Sequence, residues 1–441
     1  MNITGQSKKK IAVITLGCKV NQFESAAFLS ELAQREVELV PFSQPAEVYV
    51  INTCAVTARA SAQSRQLIRQ ALRANPEARL IVTGCYAQIA AQEILDIADS
   101  PICIVGNGCK HRLVDVALAD RHCDLEMHLG NIGGQQEICP LTVTSFGART
   151  RAYLKVQDGC NSFCSYCIVP YARGRSRSLV PDKVVAQAEI FAEQGYKEQV
   201  LTGIHLGHYG QDLIPRTNLR ELLALLVARN LPVRYRLSSL EPTEITDELL
   251  SLMAGSSAIM PYLHIPLQSG DDRILQRMNR RYPAATFVTV VENSVARLPD
   301  VAIGVDVLVG FPGEDEGAFR NTYSLIESLP VSYLHVFPYS RRPGTPAASM
   351  AGQIPKADKE ERVALLRDLD HKKRTAFYRR HLGSLRQILV ERRKKGCLLR
   401  GYTENYIPVS FEGNSTLTNQ LVTVRLEELT ADGVLGRVVP G

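Results

Sequence analysis

One pattern repeats through the first half of the chain: a short β-branched, apolar run followed by a stretch with helical periodicity. The first four such runs cover residues 11–16, 48–51, 80–83 and 102–105. Runs of this kind are typical of strands that are buried on both faces of a parallel sheet. Helical stretches such as 24–35 and 60–74 separate them. We therefore expect a small doubly wound α/β domain over residues 9–125.

The same pattern returns after residues 126–148, a Gly- and Pro-containing stretch with little periodicity that we predict to be a linker. Six further runs lie at 152–157, 199–202, 233–238, 262–266, 302–308 and 333–337. Helical stretches separate them, for example 183–194, 219–229 and 318–329. Six strand–helix units predict a partial TIM barrel, (β/α)6, over residues 149–377. Such barrels carry their chemistry at the C-terminal ends of the strands.

The C-terminal segment, residues 378–440, has a different pattern, in which short strands alternate with turns. The candidate strands are 387–392, 398–402, 407–411, 421–426 and 434–438. Five short strands in a segment of this length predict a small antiparallel β-barrel of the OB kind. Tyr402 and Tyr406 either stack on nucleic-acid bases or belong to the core of this domain, and the sequence leaves both interpretations open.

A CxxxCxxC triplet, Cys160, Cys164 and Cys167, follows the first strand of the predicted barrel. Thiolates are the usual ligands of a [4Fe–4S] cluster, and three of them leave one iron open. An open iron can hold a small molecule and pass it an electron. The alternatives are a zinc site that lacks a fourth ligand and three free thiols, although zinc sites usually pair one CxxC with a distant second pair.

Three more cysteines occupy matching positions in the N-terminal segment. Cys18, Cys54 and Cys85 each follow a predicted strand closely. Because the C-terminal ends of parallel strands lie at one edge of a sheet, these thiols should converge in space. Three converging thiolates describe a second cluster site with one open iron. The alternative is that each is a small buried hydrophobic residue, which is common for a lone cysteine.

The net charge of +6 is unevenly distributed along the chain. Residues 371–400 contain eleven Lys or Arg residues and one acidic residue, so this window carries +10 and the remainder −4. A basic segment of this kind indicates nucleic-acid binding. We expect its hairpin to contact phosphates through Arg392, Arg393, Lys394 and Lys395. The alternative is a solvated helix face followed by a basic hairpin.

Composition also bears on where the protein works. The sequence has no apolar run long enough to span a bilayer, and its first residues lack the apolar stretch of a signal peptide. Eleven cysteines in a reducing compartment favour metal or redox chemistry over disulfides. We therefore expect a cytoplasmic protein with no membrane partner.

Together, these segments resemble the methylthiotransferases of the radical S-adenosylmethionine (SAM) class over nearly the whole chain. The resemblance lies in Thr-Leu-Gly-Cys18-Lys-Val-Asn-Gln, Asn-Thr-Cys54-Ala-Val-Thr, Val-Thr-Gly-Cys85-Tyr-Ala-Gln, Gln-Asp-Gly-Cys160 onward, and Asp306-Val-Leu-Val-Gly-Phe-Pro-Gly-Glu. The C-terminal Gly-Tyr-Thr-Glu-Asn-Tyr resembles a TRAM domain, an RNA-binding appendage of that family.

The resemblance implies two [4Fe–4S] clusters and SAM as cofactors. Cys160, Cys164 and Cys167 would hold the cluster that cleaves SAM, and Cys18, Cys54 and Cys85 an auxiliary cluster. One SAM methylates a sulfur on the auxiliary cluster. A second SAM yields a 5′-deoxyadenosyl radical, which takes hydrogen from the C–H bond where the methylthio group is placed. The other cysteines match no cluster position in the family: Cys103, Cys109, Cys123, Cys139 and Cys397.

Further partners follow from the same resemblance. The reaction needs an electron donor of the flavodoxin or ferredoxin type and a sulfur donor that the sequence does not specify. Polar and Gly-rich stretches at the ends of the barrel strands are expected to form the SAM site. The residues that we assign to it are Tyr166, Gly203, Ser238, Gln268, Asp306 and Gly310. His205, His208 and His264, which lie in the same stretches, are expected to be structural rather than catalytic.

Within the family, Gly-Cys-Lys-Val-Asn-Gln most resembles the branch that acts on N6-threonylcarbamoyladenosine in tRNA, the purine 3′-adjacent to some anticodons. The branch that acts on N6-isopentenyladenosine more often has Met where this chain has Val20. Another branch modifies an aspartate of a ribosomal protein, but the basic segment favours a polyanionic substrate. A non-enzymatic RNA-binding cluster protein would leave the SAM site and the second triplet unexplained.

Overall fold

A six-stranded parallel sheet forms the N-terminal part of the protein. The computed structural model describes residues 8–97, 102–119, 126–147, 149–395 and 398–439, and of residues 392–395 it describes the backbone alone. The strands are β1 (Lys9–Thr15), β2 (Val37–Leu39), β3 (Val48–Thr53), β4 (Arg79–Gly84), β5 (Ile102–Val105) and β6 (Met127–His128). Their order is β2-β1-β3-β4-β5-β6. This order confirms the doubly wound α/β prediction.

Helices cover both faces of this sheet, and their buried residues pack against the strands in two apolar clusters. They are α1 (Lys19–Leu32), α2 (Ala58–Ala74), α3 (Cys85–Ile89), α4 (Ala91–Leu95) and α5 (Leu113–Leu118). In α2, for example, Ser61, Ser64, Ile68 and Ala71 are buried. Helix α1 starts five residues before the predicted start at residue 24, so its first turn directly follows Cys18.

The central part is the predicted partial barrel. Its elements are β7 (Arg151–Lys155), β8 (Gln157–Asp158), α6 (Val169–Arg173), β9 (Arg177–Ser178), α7 (Pro181–Glu193), β10 (Glu198–Thr202), α8 (Leu219–Ala228), β11 (Arg234–Leu237), α9 (Asp247–Ala254), β12 (Tyr262–Gln268), α10 (Asp272–Arg277), α11 (Ala284–Arg297), β13 (Ala302–Val309), α12 (Glu316–Ser328), β14 (Tyr333–Pro338) and α13 (Lys356–Arg380). Six parallel strands form the wall in two sheets, β7-β10-β11 and β12-β13-β14. A bridge between Tyr235 and Ile259 joins the two sheets.

Side chains alternate across the barrel wall, as in any strand. Apolar residues such as Leu201, Leu263 and Val305 point outwards into the core under the helices. The inward-facing residues of the six wall strands define what we call the lumen, and many of them are charged or polar, for example Glu198 and Arg236. A charged lumen suits a polar ligand better than an apolar one.

The segment predicted to be a linker, residues 126–148, is part of the packed structure where it is described. Its first residues form β6, which pairs with β5. Further along, Val143 is fully buried, and the Phe146 backbone N–H donates to the Tyr196 hydroxyl at 2.7 Å. The domain limits drawn from the sequence stay predictions. The segment between the first two domains nevertheless holds them together rather than separating them.

The C-terminal part is a closed five-stranded barrel. Its strands are β15 (Leu385–Lys395), β16 (Leu398–Thr403), β17 (Pro408–Phe411), β18 (Leu421–Thr430) and β19 (Gly433–Val438). They close in the order β15-β16-β17-β19-β18. Four of the five pairings are antiparallel, as predicted, whereas β17 and β19 are parallel.

This small barrel covers the N-terminal end of the lumen. Arg234 donates to the carbonyl of Tyr402 at 3.1 Å, and Arg236 donates to the carbonyl of Glu404 at 3.0 Å. The Arg151 guanidinium lies 4.7 Å from the Tyr402 ring and 5.4 Å from the Tyr406 ring. Of the two interpretations that the sequence left open, the structure therefore favours packing: both tyrosines belong to the contact between the domains.

Part of the basic segment has the same structural role. Lys373 donates to the Leu329 carbonyl at 2.7 Å, and Arg374 donates to the Leu334 carbonyl at 3.4 Å. Arg386 pairs with Asp300 at 2.9 Å. These cations fasten α13 and the C-terminal barrel to the central barrel, so the charge of +10 overstates what is free to meet a polyanion. None of the helices in the described ranges is both long and apolar enough to cross a membrane.

Candidate active site

The CxxxCxxC loop lies at the C-terminal end of β7, at the mouth of the lumen. The Cys160 backbone N–H donates to the Gly174 carbonyl at 3.0 Å, and that of Cys167 donates to the Cys164 carbonyl at 2.9 Å. Gly159, with φ +73°, lies so close to Arg175 that an added Cβ would come within 1.9 Å of the Arg175 carbonyl oxygen. Only glycine fits there. The loop is therefore held in one compact form with its three thiols close together.

Cys160 has a histidine partner that the sequence did not reveal. His205 Nδ1 lies 3.3 Å from the Cys160 Sγ, and its Nε2 lies 2.5 Å from Glu244 Oε1. Burial opposes a charge on the ring, but the hydrogen bonds to Cys160 and Glu244 outweigh it and raise the pKa of His205 to about 10. Burial also opposes the Cys160 thiolate, yet the hydrogen bond with His205 leaves the pKa of Cys160 below its ordinary value.

We expected His205 to be structural because radical chemistry does not need a histidine near the cluster. It follows β10, and β10 pairs with β7, so its loop adjoins the cysteine loop at the barrel mouth. The predicted pairing of these two strands was therefore the feature of the sequence that could have placed His205 beside Cys160.

Cys164 also has a polar partner. Arg280 Nη1 lies 3.5 Å from the Cys164 Sγ.

The three N-terminal cysteines also come together. The ladder between β3 and β4 pairs Thr53 with Gly84, so the next residues, Cys54 and Cys85, are neighbours. Gly17, just before Cys18, lies against Cys54, and an added Cβ would come within 2.9 Å of the Cys54 Sγ. This is the convergence expected at one edge of a parallel sheet.

Burial controls the protonation of these thiols. It raises the pKa of Cys54 to about 11, with a further contribution from the nearby Cys85. Burial also raises the pKa of Cys85, and that of Cys167 in the other triplet to about 12. Thiols must lose their protons to bind a metal, so metal binding at either triplet releases protons.

A buried ionic network lies between the two triplets. Arg173 is fully buried and donates to Glu24 at 2.9 Å and to Asp158 at 3.0 Å. Lys155 pairs with the same two carboxylates, and Lys110 pairs with Glu24. Three cations thus meet two carboxylates, which leaves one excess positive charge beside Cys85 and Cys18. An excess cation fits an anionic thiolate cluster at that position.

The six residues assigned to SAM occupy varied positions. Tyr166 lies in the cysteine loop, 6.4 Å from Phe311 between ring centres. Gly203 follows β10, and an added Cβ would lie 2.7 Å from the Gln157 amide oxygen. Ser238 follows β11, and its buried hydroxyl has no hydrogen-bond partner among the described residues. Gln268 ends β12 with φ +65°.

The last two residues assigned to the SAM site, Asp306 and Gly310, already contact other parts of the protein. Asp306 lies in the middle of β13, inside the lumen, where His264 Nε2 is 2.8 Å away and His335 Nδ1 is 3.4 Å away. Burial opposes its charge, but these histidines hold its pKa well below the usual range. Gly310 follows β13 with φ +72°, and the space beside its Cα is filled by Lys359 of α13. The SAM-binding roles of all six residues stay predictions.

The remaining predicted residues form the hairpin between β15 and β16. The backbone of Arg392, Arg393, Lys394 and Lys395 belongs to β15, and their side chains lie outside the described part of the chain. Their phosphate contacts stay a prediction.

Known proteins share this fold. Residues 154–326 match the Radical SAM superfamily, and residues 10–106 match the family described as "Uncharacterized protein family UPF0004". The solved structure of the radical S-adenosylmethionine methyltransferase TsrM from Kitasatospora setae is similar in fold, with a TM-score of 0.56 and 16% identity over 77% of each chain. The barrel, the cysteine loop at its mouth and these matches define a radical SAM enzyme.

Relatives that match over nearly their whole length define the family. The chain is 40% identical to the threonylcarbamoyladenosine tRNA methylthiotransferase MtaB of Aquifex aeolicus, covering 92% of this chain and 97% of that one. It is equally similar to the protein of the same name from Bacillus subtilis, with 94% and 93% covered. A tRNA-2-methylthio-N(6)-dimethylallyladenosine synthase from Fusobacterium nucleatum is 31% identical over 98% and 100%. The chain belongs to the radical SAM methylthiotransferases of the MtaB-like branch, which confirms the resemblance seen in the sequence.

A radical SAM enzyme holds SAM and a [4Fe–4S] cluster, and the residues present fit both. Three thiols in one loop supply the donors that a cluster with one open iron requires. At the same mouth, the Ser238 hydroxyl, which has no hydrogen-bond partner within the described ranges, offers a hydrogen bond to a polar ligand. The enzyme is therefore a radical SAM methylthiotransferase.

Proposed function

We propose that this enzyme transfers a methylthio group to C2 of N6-threonylcarbamoyladenosine, 3′-adjacent to the anticodon of tRNA. In this proposal Cys160, Cys164 and Cys167 hold the cluster that cleaves SAM, and Cys18, Cys54 and Cys85 hold a second [4Fe–4S] cluster. One observation carries the proposal: two separate sets of three thiols meet at one barrel mouth, joined by the Arg173 network. A single set would suffice for SAM cleavage alone.

The substrate assignment is supported by the relatives. Those named for threonylcarbamoyladenosine tRNA reach 40% identity, whereas those named for dimethylallyladenosine reach 32%. The excess of basic residues in the C-terminal segment also favours a polyanion over a protein loop. The further partners are an electron donor of the flavodoxin or ferredoxin type and a sulfur donor of unspecified chemistry. The expected compartment is the cytoplasm, where tRNA is found.

When bound, SAM and the clusters supply the radical and sulfur chemistry, and the protein supplies binding, orientation and exclusion of water. His205, held by Glu244, donates to Cys160 and orients that thiolate. Arg280 does the same for Cys164. Helix α1 packs against the C-terminal end of β7 through the contact between Glu24 and Lys155. Groups that hydrogen-bond to a metal ligand commonly control the affinity of the site for the metal and the reactivity of the bound metal.

The adenosine must leave its stack in the anticodon loop to reach the mouth. Recognition of single-stranded RNA commonly relies on such splayed-out bases. The hairpin cations Arg392, Arg393, Lys394 and Lys395 would then hold the phosphates of the tRNA body at the other end of the central barrel.

The direct experiment is anaerobic reconstitution followed by reaction with tRNA that carries N6-threonylcarbamoyladenosine. We expect about eight irons per chain and formation of 2-methylthio-N6-threonylcarbamoyladenosine, measured by nucleoside mass spectrometry. In a deletion strain that nucleoside should disappear. An unchanged level of it, with the ribosomal aspartate left unmodified instead, would establish the protein-modifying alternative; loss of the methylthio-isopentenyl nucleoside would establish the other tRNA branch.

The tRNA contact is tested separately by charge reversal. Replacing Arg392, Arg393, Lys394 and Lys395 with Glu should weaken tRNA binding sharply and flatten its dependence on salt, because fewer counterions are released. SAM cleavage without tRNA should stay unchanged. A matched control reverses Arg220 and Arg320, exposed cations on the outer helices of the central barrel, and should leave tRNA binding intact.

A further inference from the structure

The floor of the lumen is strongly cationic, but its arginines are already paired. The Glu198 carboxylate forms ion pairs with three arginines: Arg151 at 3.0 Å, Arg234 at 2.6 Å and Arg236 at 2.9 Å. Arg151 also reaches Glu391 at 3.1 Å. Arg234 and Arg236 donate their remaining N–H groups to carbonyls of the C-terminal barrel. These guanidiniums therefore fasten the two domains together.

Lys19 differs from those arginines. It opens α1, directly after Cys18, and it is half-buried. Arg236, Arg151 and Glu198 of the lumen floor act on its charge from one side, and Cys18 acts on it from the N-terminal domain. Among the described residues, its ammonium has no hydrogen-bond acceptor and no salt-bridge partner. A half-buried cation without a partner is costly unless an anion meets it.

We propose that Lys19 is a specificity-determining residue that binds the threonyl carboxylate of the substrate adenosine. This inference rests on the proposed function, because the carboxylate belongs to that substrate. The methylthio group goes to C2, so C2 must face the auxiliary cysteines, one of which is Cys18. C2 and the carbon that carries N6 both flank N1 of the purine. A base with C2 at Cys18 therefore presents its N6 substituent to the adjoining surface, where Lys19 lies.

The same lysine would disfavour the other tRNA substrate. A dimethylallyl group is apolar and offers nothing to the ammonium, which it would instead shield from water. Lys19 would thus act in both directions, by attracting the carboxylate and by penalising the apolar group. Specificity commonly combines an attractive and a repulsive element in this way.

The experiment measures equilibrium binding to the reconstituted holoenzyme, without oxygen or reductant. The ligands are three anticodon stem-loops, carrying threonylcarbamoyladenosine, its methyl ester or dimethylallyladenosine. The wild type should bind the free acid about tenfold more tightly than the ester, as expected for a hydrogen-bonded charge pair. Lys19→Gln should bind the acid about tenfold more weakly and the ester within about twofold of wild type. Lys19→Arg, which keeps the charge, should retain the preference for the acid.

The matched control is Arg35→Gln, which removes an exposed cation beyond the other end of α1 and should change none of these affinities. The inference is overturned if wild type binds acid and ester equally, a result that needs no variant. It is also overturned if Lys19→Gln keeps the preference for the acid. If that variant keeps the preference and shifts the electron paramagnetic resonance signal of the auxiliary cluster, Lys19 is a counter-charge of the cluster. The proposed function fails separately, if wild-type enzyme with SAM and reductant forms no methylthio product on the acid stem-loop.

Discussion

The two cysteine triplets meet at one barrel mouth but are built in opposite ways. Cys160, Cys164 and Cys167 lie within one short loop whose own backbone hydrogen bonds hold it. Cys18, Cys54 and Cys85 come from three strands, and they meet because β1, β3 and β4 are neighbours in the sheet. The first site is local and the second depends on the register of a whole sheet.

The two triplets also differ in the charged and polar groups that surround their thiols. The local triplet has polar partners on its thiols, with His205 at Cys160 and Arg280 at Cys164. In the dispersed triplet Cys18 is exposed, whereas Cys54 and Cys85 are buried and burial raises the pKa of both thiols, as it does at Cys167 of the local triplet. The compensating charge of the dispersed triplet comes from Arg173, which the central barrel contributes. The comparison teaches that the dispersed site is completed only when the two domains are docked.

The sharpest test of the comparison removes the local triplet. Replacing Cys160, Cys164 and Cys167 with Ala should abolish 5′-deoxyadenosine formation, because no other set of thiols opens an iron to SAM in this scheme. Iron analysis should fall from about eight to about four per chain. Reductive SAM cleavage by this variant would show that the assignment of the two sites is reversed.

The second test removes the dispersed triplet. The Ala variant of Cys18, Cys54 and Cys85 should still cleave SAM, within about threefold of wild type, and should form no methylthio nucleoside. Each single Ala variant should behave like the triple one, because three ligands act as a unit at such a cluster. If any one of the three proves dispensable for the second cluster, the convergence at the sheet edge is not what builds the site.

Arg173 tests whether domain docking completes the dispersed site. Arg173→Met leaves Glu24 and Asp158 with fewer partners in a buried position, which commonly costs about 3–5 kcal/mol. We expect a lower unfolding midpoint in urea and a greater loss of iron from the dispersed site than from the local one. Arg175→Met, two residues away and exposed, is the control. Equal iron loss from both sites would mean that Arg173 does not distinguish them.

Alkylation of the metal-free protein measures the difference in thiol environment. The pKa of Cys160 lies below its ordinary value, whereas that of Cys54 is about 11. At pH 7.5 more of Cys160 is thiolate, the reactive form, and the thiolate fraction of Cys54 is about a hundredfold below that of an ordinary thiol. Iodoacetamide should therefore label Cys160 first, as followed by peptide mass spectrometry, and Cys54 should gain reactivity as the pH rises towards 11. Equal rates at pH 7.5 would remove this part of the comparison.

The smallest expected effect concerns His205. His205→Asn removes a donor to Cys160, which destabilises the more negative, reduced form of the local cluster and lowers its reduction potential. SAM cleavage should slow by roughly tenfold, which is typical when a group that hydrogen-bonds to a metal ligand is removed. The auxiliary cluster should keep its potential. His208→Asn, which alters the ring stacked 3.6 Å from His205, should do less; an equal effect would mean that the loop, and not the hydrogen bond, matters.

Much of the fold and of the candidate site could be predicted from the sequence. Periodicity indicated ten parallel strands, four of which precede the triplet cysteines, because a buried parallel strand must be apolar along its length. The positions of Cys18, Cys54 and Cys85 after such strands indicated one edge. Helix α1 was placed too late in the chain, since Cys18 offers no capping side chain to mark its start.

What the sequence could not show is which charges are buried and what pairs with them. Arg173, Arg175 and Arg177 look alike in the run Arg-Gly-Arg-Ser-Arg, yet Arg173 and Arg177 are buried and Arg175 is exposed. The sequence suggested that the basic residues around Arg386 are available to bind nucleic acid. In the structure, several of them instead make contacts between domains, such as the ion pair of Arg386 with Asp300.

The sequence by itself indicated ten of the parallel strands and the two cysteine triplets that we propose as cluster ligands. Those features depend on residue type and spacing along one chain. The tertiary structure alone decided that His205 lies at Cys160, that Arg173 joins Glu24 to Asp158, and that the Lys19 ammonium has no salt-bridge partner among the described residues. The physical reason is that a charge is stabilised by whatever surrounds it in space, and those partners come from segments far apart in the chain.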